Sequence, residues 1–222
     1  MYYEEAGKGR TVIFLHGWGG SIASFKGTFT YLSKYFHCVN LEFHGFGNSE
    51  TPKTPYTIYD YADELKEFIG FLNCGAVTVI GHSFGGRVAL ILAAEAPELV
   101  GGVILIDAAG LKPRRGLKYF FRKLTKQGSP DYRALSGVMR KTFVNVVNEH
   151  LNRFTHRIKC HALIIWGGKD KDTPPWMARY LNRHIVNSRL IVFKNAGHYS
   201  YIDRFDECNM LLLDWLVNYI EN

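Results

Sequence analysis

Three residues far apart in the chain have the types that nucleophilic catalysis needs: Ser83 in VIGHSFGG, Asp170 in IIWGGKDKDTPP and His198 in VFKNAGHYSYID. A serine hydroxyl is a weak nucleophile at neutral pH, so it needs a base to take its proton and a third group to orient that base. In Gly81-His82-Ser83-Phe84-Gly85 the serine stands two residues from a glycine on either side. That spacing suits a sharp turn between strand and helix, where the backbone leaves no room for side chains at the flanking positions and the hydroxyl is pushed outward. A phosphate-cradling loop is a competing reading. It fails because no Lys-Ser/Thr pair follows at the required offset, and Arg87 is no substitute. An ordinary turn serine, a loop histidine and a turn-forming aspartate are the bland readings of the three, and by position alone Asp172 serves nearly as well as Asp170.

Attack on a carbonyl also creates an oxyanion, which preorganised backbone N–H groups stabilise; losing one donor typically costs about 3 kcal/mol of transition-state stabilisation. One donor is expected from the residue after the nucleophile, Phe84. The other is expected from the loop HGWGG at 16–20, where Trp18 supplies its N–H and its ring walls the pocket.

The elements that must position these groups are short apolar runs rich in β-branched residues: TVIFL (11–15), HCVNL (37–41), AVTVI (76–80), GVILI (102–106), HALIIW (161–166) and RLIVF (189–193). These read as buried strands. Met1 to Glu5 adds a candidate edge strand. Helical periodicity runs over Ile22 to Lys34, Ile58 to Leu72, Phe84 to Glu95, Trp176 to Ile185 and Phe205 to Tyr219. Strands alternating with helices predict an α/β fold, a parallel sheet covered on both faces. The serine, the aspartates and His198 all follow predicted strands, which brings them to one end of the sheet. The alternation breaks once, between Asp107 and His161, where helices are predicted over Leu117 to Lys126 and Tyr132 to Asn148. So long a segment reads as a lid, residues 111–159, over the carboxyl ends of the strands.

A chain of 222 residues, 47% hydrophobic, can bury a sizeable core as one domain. No apolar run approaches the roughly 18–20 residues needed to cross a bilayer. The start MYYEEAGKGR lacks the stages of a signal peptide, so a soluble cytoplasmic protein is expected. Cys38, Cys74, Cys160 and Cys208 have no metal-site spacing and read as free thiols; neither metal nor cofactor is expected. The net charge is +7, yet residues 111–159 hold thirteen Lys/Arg against two Asp/Glu. A basic insert on a mildly acidic body reads first as a solvated helical face, with anionic substrates or a membrane surface as the sharper alternative. Nucleic acid is not expected, since no binding motif accompanies the charge.

Taken in order, FLHGWGG, LEFHGFGNS, VIGHSFGG, IIWGGKDKDTP and NAGHYSYID resemble the α/β-hydrolase superfamily, in its branch of small lidded serine esterases and related hydrolases. The resemblance covers nearly the whole chain. It implies the α/β-hydrolase fold, with a short helical lid after the sixth-strand position. The family pattern W-G-x-x-D-x-x-x-P falls on Trp166 to Pro174 and selects Asp170 as the acid, with His198 as base and Trp18 and Phe84 at the oxyanion. Glu42 stands where the family usually has Asp, a mostly structural position, and the short start implies an absent or truncated first edge strand. Leu135, Val138, Met139 and Phe143, at helical spacing in the lid, are candidates to line the acyl pocket, with lid packing as the alternative. Haloalkane dehalogenases and epoxide hydrolases of this fold use an aspartate at the elbow, which Ser83 is not. What the resemblance implies is hydrolysis of a small-molecule ester through an acyl-enzyme, with carbon–carbon bond hydrolysis or acyl transfer by the same residues as alternatives, and a non-catalytic binding protein as the reading outside catalysis.

Overall fold

Seven strands lie in the order β1-β3-β2-β4-β5-β6-β7 and form one sheet. They are β1 (Tyr2–Ala6), β2 (Thr11–Leu15), β3 (His37–Glu42), β4 (Val77–His82), β5 (Val100–Ile106), β6 (His161–Gly167) and β7 (Ser188–Phe193). The structure is a computed structural model and describes residues 1–112, 135 and 137–218. β1 is the expected edge strand and runs antiparallel to β3, with Tyr2 opposite Glu42. All other pairings are parallel.

The central strands are almost wholly buried because both faces of the sheet are covered. Along β2 the side chains alternate: Ile13 and Leu15 pack with α2 (Ile58–Leu72), α3 (Phe84–Glu95) and α5 (Trp176–His184), in one core cluster. Val12 and Phe14 pack on the opposite side with α1 (Lys26–Leu32) and α7 (Phe205–Asn218). Each fully buried Leu, Ile or Phe contributes roughly 1.5–3 kcal/mol to this two-sided core. The sheet is therefore a rigid platform, and the loops at its carboxyl ends inherit its precision.

Helix limits follow local chemistry. In α2, Thr57 accepts from the N–H of Asp60 while the Asp60 carboxylate accepts from the N–H of Thr57, and Asn73 ends the helix in the left-handed region at φ 47°. The helix expected over 22–34 divides into a 3-10 turn, Ile22–Phe25, and α1. Ser21 and Ser24 close a capping box on that first turn, which tightens it before the α-helix begins.

The long insertion follows β5, the fifth strand in chain order among the described residues, where the resemblance puts it after the sixth-strand position. Within it lie α4 (Gly137–Asn148) and a 3-10 turn (Asn152–Arg157); after β7, the short α6 (Ser200–Asp203) precedes α7. In α4, Met139, Thr142, Phe143 and Val146 form the buried stripe. The helix expected over Leu117 to Lys126 lies outside the described residues, as do positions 132–134 and 136 of the second expected lid helix. Among the described residues no helix is long and apolar enough to cross a membrane.

Candidate active site

Ser83 sits between β4 and α3 at φ 48°, ψ −105°, a left-handed conformation that a non-glycine residue adopts only where its surroundings impose it. The surroundings are visible on both sides of the residue. Its N–H donates to the Ile106 carbonyl (3.1 Å) and its carbonyl accepts from the Ala109 N–H (3.0 Å). A Cβ on Gly81 would lie 2.5 Å from the Gly85 carbonyl oxygen, and one on Gly85 would lie 2.2 Å from the Leu15 carbonyl oxygen. The spacing of those two glycines is thus a steric requirement of a turn pressed against β2.

His198 and Asp170 arrive at this turn from the ends of β7 and β6. His198 Nε2 lies 3.0 Å from Ser83 Oγ, and His198 Nδ1 lies 2.9 Å from Asp170 Oδ2. Assigned from these partners, Nδ1–H donates to the carboxylate and Nε2 accepts from the serine hydroxyl. Asp170 is held in turn: Oδ1 accepts from the N–H groups of Asp172 (2.8 Å) and Thr173 (2.9 Å), and Oδ2 accepts from the Thr173 hydroxyl (2.6 Å). Asp172 is exposed and contributes its backbone, so the two aspartates left open by position have different places. Burial pushes the Asp170 carboxyl up, but the His198 and Thr173 contacts outweigh it and hold the group below its ordinary value. Burial pulls His198 down, and the Asp170 hydrogen bond and charge outweigh it, leaving the imidazole above its ordinary value.

Two further histidines brace the loops. His82 donates from Nε2 to the His198 carbonyl (2.8 Å); burial, with the neighbouring His198 charge, pulls His82 down to about 3, so it stays neutral. His16, the histidine of HGWGG, donates from Nδ1 to the Gly17 carbonyl (2.7 Å) and accepts at Nε2 from the Phe43 N–H (3.3 Å). Burial lowers its pKa, and its own carbonyl accepts from the Gly85 N–H (3.1 Å). The HGWGG loop is thereby fixed against the serine turn. Among the described residues, neither the Trp18 nor the Phe84 N–H has a backbone acceptor.

The Trp18 ring is half-buried and enclosed by Phe46 (4.9 Å between centroids), Phe84 (5.3 Å) and Phe143 of α4 (4.9 Å). Phe143 therefore reaches the site through Trp18. Met139 packs over Gly45, whose Cβ position would lie 2.4 Å from its sulfur. Leu135 and Val138 are half-buried, Leu135 against the main core. Glu42 is buried; its carboxylate accepts from the N–H groups of Ile22 (3.0 Å) and Asn48 (2.5 Å). Gly47, at φ 54°, leaves room for the extra methylene that Glu has over Asp.

Sequence reasoning missed Thr173, whose signal is a hydroxyl residue three after the acid, and Asp107, a lone aspartate ending an apolar strand. The described residues whose ligand atoms lie within 4.8 Å of one another are Asp170, Asp172 and His198. Nδ1 and Oδ2 of that group already bond each other, so a cation there would have to break the relay.

A family profile described as alpha/beta hydrolase fold matches residues 10–154. The chain is 28% identical to the AB hydrolase superfamily protein YisY of Bacillus subtilis, covering 96% of this chain and 93% of that protein. It is 25% identical to the 2-hydroxy-6-oxo-6-phenylhexa-2,4-dienoate hydrolase of Comamonas testosteroni, covering 97% and 91%. Among solved structures, the esterase EaEST from Exiguobacterium antarcticum superposes with a TM-score of 0.84 at 25% identity, over all of this chain and 95% of that one.

Proposed function

The chain belongs to the alpha/beta hydrolase fold family, and from that premise we propose that it is a serine hydrolase cleaving carboxylic esters of small or medium acyl groups through an acyl-enzyme. The observation that carries this reading is the continuous relay from Ser83 Oγ through His198 to Asp170, at 3.0 and 2.9 Å. Ser83 gives its proton to His198 Nε2 as Oγ attacks the ester carbonyl. The N–H groups of Trp18 and Phe84 hold the oxyanion, and Asp170 accompanies the imidazolium charge. The imidazolium then protonates the departing alcohol, leaving the acyl group on Ser83. Water, losing a proton to the same histidine, releases the acid and restores the serine. No step draws on a metal or cofactor, and the reading is of a soluble cytoplasmic enzyme.

In this reading residues 111–159 form a lid, and Leu135, Met139 and Phe143 line or support the acyl side of the pocket. The packing of Phe143 on Trp18 supports that assignment. Turnover of short-chain aryl esters tests the proposal: wild type should hydrolyse them and Ser83→Ala should not, whereas full activity in the variant would end the assignment. Carbon–carbon bond hydrolysis is the second reading, favoured by the dienoate hydrolase relative. Release of a carboxylic acid from a 2-hydroxy-6-oxo-dienoate, with little turnover of simple esters, would select it. An acyl product with an added alcohol would instead indicate transfer.

A further inference from the structure

The group of buried atoms that meets every loop of the relay is not itself in the relay. Asp107 follows β5, is fully buried and stands at φ 46°. Its Oδ1 accepts from the Gly167 N–H (2.7 Å), and Gly167 ends β6 three residues before Asp170. Its Oδ2 accepts from the N–H (3.1 Å) and the hydroxyl (2.5 Å) of Ser200, two residues after His198. The Thr173 hydroxyl, whose one hydrogen is directed to Asp170 at 2.6 Å, also lies 3.0 Å from the Asp107 carbonyl oxygen. On either side of Asp107, the Ile106 carbonyl and the Ala109 N–H bond the main chain of Ser83. Four consecutive residues, 106–109, therefore touch the nucleophile turn, the acid loop and the base loop at once.

We propose that Asp107 is a positioning residue for the relay, its carboxylate holding the acid and base loops in register against the nucleophile turn. This rests on the serine-hydrolase reading above. A carboxylate suits the place because it only accepts, and three donors converge on it from two loops. Burial raises the Asp107 carboxyl to about 7, and the Ser200 and Gly167 donors pull against that rise by favouring the carboxylate. An amide cannot replace it: Asn offers one accepting oxygen, and its NH2 must face either the Gly167 N–H or the Ser200 N–H, donor against donor. Asn does tolerate the left-handed backbone, so Asp107→Asn changes the clamp without adding strain to the turn.

The test compares Asp107→Asn and Ser200→Ala with wild type by thermal unfolding, aryl-ester kinetics and the rate of Ser83 labelling by a fluorophosphonate. In folded Asp107→Asn, kcat and labelling rate should fall together by roughly 10- to 100-fold, as expected for a base displaced by up to 1 Å, with KM within about twofold. Ser200→Ala, which keeps its N–H, should lose several-fold in the same two quantities, and the double variant should be no worse than Asp107→Asn alone. A folded Asp107→Asn with kcat and labelling within about twofold of wild type overturns the proposal, as does a loss confined to KM. If Asp107→Asn does not fold, Ser200→Ala decides: unchanged labelling in that folded variant overturns it equally. Wild type that neither labels nor turns over would instead strike the hydrolase reading, leaving a distinguishable failure.

Discussion

Gly167 is the position where a single methyl group should reach furthest into the chemistry. It ends β6 where the main chain passes Gly197, and a Cβ built on it would lie 1.9 Å from the Gly197 carbonyl oxygen and 2.7 Å from that of Ala196. Both obstacles are backbone, so neither can rotate away. Since Cβ contacts under 3.0 Å essentially do not occur, Gly167→Ala must open the gap by at least about 1.1 Å, the difference between 3.0 and 1.9. Gly197 directly precedes His198, so the opening is delivered to the base. The 3.0 Å separation of His198 Nε2 from Ser83 Oγ then lengthens to roughly 4 Å, beyond hydrogen-bond reach. Misplacement on that scale costs roughly 10²-fold in rate, and the crowding itself about 1–3 kcal/mol of stability. Steady-state kcat on a short-chain aryl ester, with denaturant unfolding beside it, measures both. A folded Gly167→Ala with wild-type kcat and stability would refute the reasoning, because it would mean that the base loop is not seated against β6.

Gly70→Ala is the contrasting case: nothing lies within 4 Å of its Cβ position on α2, so stability should rise by about 0.5–1 kcal/mol with kcat unchanged, as read by urea unfolding. Because the Asp170 contact holds His198 above its ordinary value, wild-type kcat/KM should rise with pH through a midpoint above 6.5, as the imidazole becomes the free base. Asp170→Asn should lower kcat by about 10⁴-fold and move that midpoint down, since burial is then less opposed; an unmoved midpoint would contradict the pairing. The sign for stability is opposite: with the folded value raised, the contribution of charged His198 is complete below 6.5 and is lost as pH rises through the folded value. Arg87, buried on α3, donates to the Val146 (2.7 Å) and Glu149 (3.0 Å) carbonyls at the end of α4. Arg87→Met should cost about 1–3 kcal/mol for the carbonyls left unpaired and raise KM more than it lowers kcat, because α4 carries Met139 and Phe143.

Much of this was legible in the sequence because parallel strands buried on both faces leave uninterrupted apolar runs. TVIFL is β2 to the residue, while GVILI starts two residues late because β5 begins with the less patterned Val100-Gly101. Ser83, Asp170 and His198 could be placed together because each lies three to five residues beyond such a run. Asp107 also follows one, yet its partners Gly167 and Ser200 lie 60 and 93 residues away and are marked by no spacing. Its role depends on three loops converging, and only the fold brings them together. The local motif points to Trp18 but not to its packing: the ring lies against Phe46, Phe84 and Phe143. Contacts from a distant insertion leave no trace in a local motif. Glu42 was visible as a departure, and its consequence, a carboxylate spanning to Ile22 and Asn48 over Gly47, needed the geometry.

The central claim is that Ser83 is an activated nucleophile, and site-resolved labelling with a fluorophosphonate probe measures this most directly. The account predicts one phosphonylated residue, Ser83, found by peptide mass spectrometry, with labelling abolished in Ser83→Ala and slowed by orders of magnitude in His198→Ala. A folded wild-type protein that leaves Ser83 unlabelled, or labels it equally fast without His198, would contradict it.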